Sequence, residues 1–154
     1  MARSPGWYSR NSEVNKKILQ ALAEARVADA RALLHAKRFE AAYYLAGYAI
    51  ECALKACIAT KTKRYDFPDK KLACKVYTHN LEELAQIAGL KEHLQHRFRQ
   101  DPAFETKWGI VKDWSEQARH DMISPQKEAR RRANEMLNAV EDRQGILACI
   151  QQYW

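Results

Sequence analysis

The stretch AAYYLAGYAIECALKACIAT, residues 41–60, constrains the fold more than any other part of the chain. Apolar residues occupy nearly every helical direction in it, with Phe39, Tyr43, Ala46, Ile50, Leu54 and Cys57 on one side and Ala42, Leu45, Ala49, Cys52 and Ala56 on another. A helix that is apolar all round belongs at the centre of a bundle or in a membrane. Glu51 and Lys55 argue against the membrane, because a charge at the bilayer centre is costly and rarely goes unpartnered. The two stand four apart with the acid first, the favourable order for a pair on one helix face. Either they form an exposed pair on a solvated strip, or Glu51 turns inward and an arginine or several donors receive it. Arg119 is the expected receiver, with Lys55 at the rim of the same groove and His120 beside it, and Glu51 and Lys55 are thereby candidates for nucleotide or RNA contact.

Around this helix the spacing of apolar residues remains helical. Val14, Ile18, Ala21, Leu22, Ala25, Ala28 and Ala32 predict a first helix from about Ser12, broken near Ala36 and Lys37 before the second runs from about Arg38 to Thr60. Residues 61–78, with Pro68, read as a long loop. Asn80 and Glu83 have capping-box spacing for a short helix ended by Gly89, and another short helix reaches Arg99. Phe104, Trp108, Val111, Ser115, Ala118 and Met122 predict one continuous fourth face. Ser124 and Pro125 read as the N-cap and first position of a last helix that reaches toward the C-terminus, weakened at Gly145 unless another backbone packs there. With five glycines and four prolines in 154 residues there is little turn material for a β fold. The expectation is one all-α domain over residues 1–154, an antiparallel bundle of four to five main helices behind an irregular segment, 1–11.

The chain carries 26 basic and 19 acidic side chains, net +7, and the whole excess lies before residue 65, where 12 basic face 5 acidic residues. Such a field favours anionic partners, nucleic acid above all. The basic residues Lys63, Arg64, Lys70 and Lys71 of the long loop, interleaved with Tyr65, Phe67 and Tyr77, are candidates for phosphate contact and base stacking. Arg130, Arg131 and Arg132 read as a solvated helix face. Cys52, Cys57, Cys74 and Cys149 form no CxxC pair, so reduced thiols, no metal and no cofactor are expected. His79, just before Asn80, is expected to hydrogen-bond a neighbour. MARSPGWYSRNSE lacks the apolar stretch of a secretory signal, and the expected setting is cytoplasmic, without a membrane.

Four segments, ALLHAKRFEAAYYLAGYAIECALKA, THNLEELA, WSEQARHD and GILACIQQYW, resemble the HEPN family, the higher eukaryotes and prokaryotes nucleotide-binding domains. The resemblance implies a small helical bundle that commonly dimerises, a link to RNA or nucleotides, and a minimal nucleotidyltransferase as partner in toxin–antitoxin or defence systems. A homodimer is also expected from the sparse polar face of the second helix. Many members are metal-independent RNases whose motif is an arginine and a downstream histidine separated by four to six intervening residues. This chain departs from that motif, since none of His35, His79, His93, His96 and His120 has an arginine at that separation. The adjacent pair Arg119 and His120 supplies the residue types for phosphate stabilisation and proton transfer, and is the alternative, catalytic reading. A purely structural interaction domain is the third.

Overall fold

The computed structural model describes residues 11–61 and 74–154. In order, the helices are α1 (Asn11–His35), α2 (Phe39–Lys61), α3 (Leu81–Ile87), α4 (Lys91–Gln100), α5 (Pro102–Lys112), a 3-10 helix η1 (Glu116–His120), α6 (Gln126–Glu141) and α7 (Ile146–Gln151). No strand occurs among the described residues, and the architecture is the expected all-α bundle. Segment 1–10 and the loop candidates Lys63, Arg64, Lys70 and Lys71 lie outside the described residues.

Helix α2 is the axis of the structure. It packs against α1, α3, η1, α6 and α7, and fourteen of its residues are buried. Most of its apolar surface is thus covered within one chain, with Tyr44, Leu45 and Tyr48 partly buried. Helix α1 returns along it through a tight turn. There Arg38 donates its N–H to Leu33 and Lys37 to Leu34, closing a Schellman motif with Lys37 in the left-handed region at φ 59°. The buried face of α1 differs from the expected one: Ala23, Val27 and Ala30 are buried, whereas Ile18 is exposed along with Ala21, Ala25, Ala28 and Ala32. Alanines on two faces left the choice open, and the larger Leu19, Leu22, Val27, Leu33 and Leu34 set the face that packs.

The caps explain most of the remaining boundaries. Asn80 accepts from the Glu83 N–H at the start of α3, and Gly89, at φ +73°, ends it as the Leu90 N–H reaches back to Ala85. Asp101 caps α5 through the Phe104 N–H, with Pro102 at the first helical position. The predicted continuous fourth face is interrupted at Asp113: Ser115 turns out to accept from the Gln117 N–H and opens η1, and Met122 is exposed. Pro125, rather than Ser124, takes the N-cap position of α6, and no side chain caps that helix. The predicted last helix is two helices. At the break, a Cβ on Gly145 would lie 2.7 Å from the Ala139 carbonyl and 2.8 Å from that of Asp142, so a backbone does pack against this glycine. Trp108 and Trp114 both sit in the core.

Candidate functional site

Glu51 is the single buried charged side chain among the described residues, 2% exposed. Its inward turn is as expected; its partners are not. Lys55 Nζ donates to Oε1 at 2.7 Å from one helical turn away, and His79 Nδ1 lies 3.0 Å from Oε1 and 3.1 Å from Oε2. The far side of the same ring meets Glu116, Nε2 to Oε2 at 3.0 Å. Each ring nitrogen thus faces a carboxylate oxygen. Arg119 takes no part. It is exposed at the end of η1, where its Nε donates to His120 Nε2 at 3.1 Å. The physical reason lies in η1 itself: after the chain breaks at Asp113, the element turns Glu116 toward α2 and leaves Arg119 and His120 outside.

Local structure holds His79 in place. Thr78 Oγ accepts from the Asn80 N–H at 3.1 Å and donates to Glu83 at 2.7 Å, while Asn80 caps α3. The residue between them is therefore fixed by a small network of cap bonds. On the other flank, Gly47 allows Trp114 to lie directly on α2, for a Cβ there would stand 2.2 Å from the indole. Trp114 leads straight into η1, so the absent side chain at position 47 determines where Glu116 arrives. Tyr44 stacks on Tyr48 at 6.2 Å and meets Trp114 at 5.8 Å, continuing the strip along α2. Neighbouring Cys52 and burial push the Tyr48 phenol up to about 12, and burial pushes the Cys52 thiol up as well. Every charge of this cluster is answered within it. It clamps η1 and the start of α3 to the central helix, and no group of three or more metal-binding side chains occurs among the described residues.

Some of the basic side chains without such partners lie together elsewhere. A cleft of about 500 Å³ lies between the end of α1, the start of α2 and the first turns of α6, lined by His35, Lys37, Lys127 and Arg130 with Gln126 and Asn134. Leu34 and Phe39 form its apolar part. No acid lines it, and none of the four basic groups has an ion-pair partner among the described residues. Nearby cations are engaged: Arg31 with Glu141, Arg131 with Glu128 and Glu135, and Arg132 with Asp121 at 3.1 Å. Arg132 also lies 3.9 Å over the Tyr43 ring, so of the three consecutive arginines one is a packed strut rather than a solvated group. Sequence reasoning passed over His35, Lys37, Lys127 and Arg130 as a site. The available signal was the three-residue spacing of Lys127 and Arg130, which places them on one face of α6.

No helix among the described residues is long and apolar enough to cross a membrane. No family model, curated protein or solved structure matches the chain.

Proposed function

We propose that the chain is a HEPN-like module that associates with RNA or nucleotides without cleaving them, and that it works beside a minimal nucleotidyltransferase in a toxin–antitoxin or defence pair. The observation that carries the binding part is the cleft with four basic groups, no acid and no internal ion pair. A cation retained without a partner is available to an external anion, and phosphate is the anion such a field selects in bulk. Its non-catalytic character is supported by the position of Arg119 and His120, exposed and bonded to each other. The resemblance of the sequence to HEPN domains supports the partner.

The test is binding of a fluorescent single-stranded RNA by anisotropy, run together with a cleavage assay in chelator. If Lys37, Lys127 and Arg130 meet phosphates, affinity should fall roughly 20-fold between 50 and 200 mM salt, from the slope for single strands. RNA should remain intact. Salt-insensitive binding, or none at low salt, rejects the reading. Metal-free cleavage that is lost in His120→Ala establishes the catalytic alternative in its place.

A further inference from the structure

We infer that the cleft between α1, α2 and α6 is a site for a terminal phosphate group, carried either by a free nucleotide or by the end of an RNA chain. This rests on the nucleotide or RNA reading above and narrows it. Lys37 comes from the α1–α2 turn and Lys127 and Arg130 from α6, so the cations approach one volume from opposite walls. A track for the backbone of a long nucleic acid would need cations spaced along a face. Convergence on about 500 Å³, a volume within the range of small-ligand sites, fits a compact group of high charge density instead. A terminal phosphate carries more charge than an internal diester and offers more oxygens to the arginine fork.

Further features agree. Gln126 and Asn134 add neutral polar side chains to the lining, and the positive end of the 16-residue α6 opens at the cleft without a side-chain cap. Lys37 holds a left-handed backbone that glycine would adopt without strain. The closest acid on α6, Glu128, is occupied by Arg131. Leu34 and Phe39 offer an apolar floor, against which a sugar or base can rest.

The experiment titrates the intact protein with inorganic pyrophosphate, with a nucleoside triphosphate, and with matched RNAs bearing a 5′ phosphate or a 5′ hydroxyl, following backbone amide resonances. Saturable shifts centred on Lys37, Lys127 and Arg130 are expected with pyrophosphate, and a preference for the phosphorylated RNA of at least about tenfold, equivalent to about 1.4 kcal/mol. Lys127→Glu with Arg130→Glu should abolish both, whereas Arg99→Glu on α4 should leave them unchanged. Should the charge reversals unfold the protein, Lys127→Gln with Arg130→Gln replaces them, and circular dichroism reports the fold. Preference for the nucleotide over both RNAs identifies a free nucleotide as the ligand; preference for the phosphorylated RNA identifies a chain end. Equal binding of the two RNAs without pyrophosphate shifts overturns the inference and leaves RNA association standing. Saturable pyrophosphate binding with no RNA or nucleotide bound upholds the anion site and rejects the function proposed above. Scattered shifts that do not saturate overturn the site itself.

Discussion

Removing both donors from Glu51 tests the central cluster most directly. The Glu51 side chain is 3% exposed, while Lys55 is 19% and His79 is 44% exposed, so the members of the cluster depend on one another unequally. Lys55→Met with His79→Leu leaves a carboxylate deep in the bundle with neither partner, and should cost about 3 to 5 kcal/mol. Each single substitution leaves one donor and should cost about 1 to 2 kcal/mol. Glu51→Leu alone removes the deepest charge and leaves Lys55 and His79, both of which can reach water, so about 1 to 2 kcal/mol is expected there too. The decisive variant combines all three. With the charge gone and the space filled by carbon, most of the double variant's loss should return, because a buried ion cluster replaced by apolar side chains is often neutral.

Urea denaturation followed by far-UV circular dichroism reads these differences, since they form a large share of the 5 to 15 kcal/mol typical of a single domain. A double variant that loses less than about 1 kcal/mol would show that Glu51 is not held by Lys55 and His79. Failure of Glu51→Leu to restore stability in that background would show that the loss comes from packing. The same cycle with Arg119→Ala should give no coupling to Glu51, since that arginine is bonded to His120.

Other perturbations follow from single contacts. Gly47→Ala places a methyl inside the Trp114 ring and should destabilise the fold by about 2 to 3 kcal/mol, read by thermal denaturation and by a red shift in tryptophan emission; no change would refute the contact. Lys37→Gly relieves a left-handed lysine and should stabilise by about 0.5 to 1 kcal/mol while weakening anion binding, an opposite pair of effects that a merely structural lysine would not give. Thiol reagents at neutral pH should modify the exposed Cys74 and spare Cys52 and Cys57, whose thiols burial holds protonated; mass spectrometry of labelled peptides decides. Because burial pushes Cys57 up to about 11 from 9.0, its contribution to stability is intact below pH 9 and lost as pH rises through 11, which alkaline denaturation of Cys57→Ala against the parent should reveal as a smaller decline in the variant.

Where residues acted locally, the sequence was legible. An all-round apolar segment had to be the bundle's axis, Asn80 and Gly89 had to bound α3, and a lone acid in α2 had to be received by something. The identity of the receiver was a different kind of question. Charge alone favoured an arginine, but the outcome depended on the break after Lys112, which apolar spacing disguised because Ala118 is buried in η1 just as it would be in a continuing helix. Gly47 held the missing information, since its lack of a side chain brings Trp114 onto α2 and with it the whole of η1.

The basic cleft escaped for a related reason. Counting charges located the excess before residue 65, yet it could not say which cations the fold answers: Arg26 faces Asp29 and Lys55 faces Glu51 within that segment, and Arg31 faces Glu141 outside it. What remains available is set by which cations the fold fails to neutralise. Lys37 stays free because it occupies the turn, and Lys127 and Arg130 because their stretch of α6 has its acid, Glu128, turned to Arg131. Net charge therefore predicts attraction to anions, while only subtraction of the internal pairs predicts where an anion will stop. By that subtraction the buried cluster around Glu51 is a clamp that holds the bundle together, and binding chemistry belongs at the opposite kind of place, where positive charge is left over.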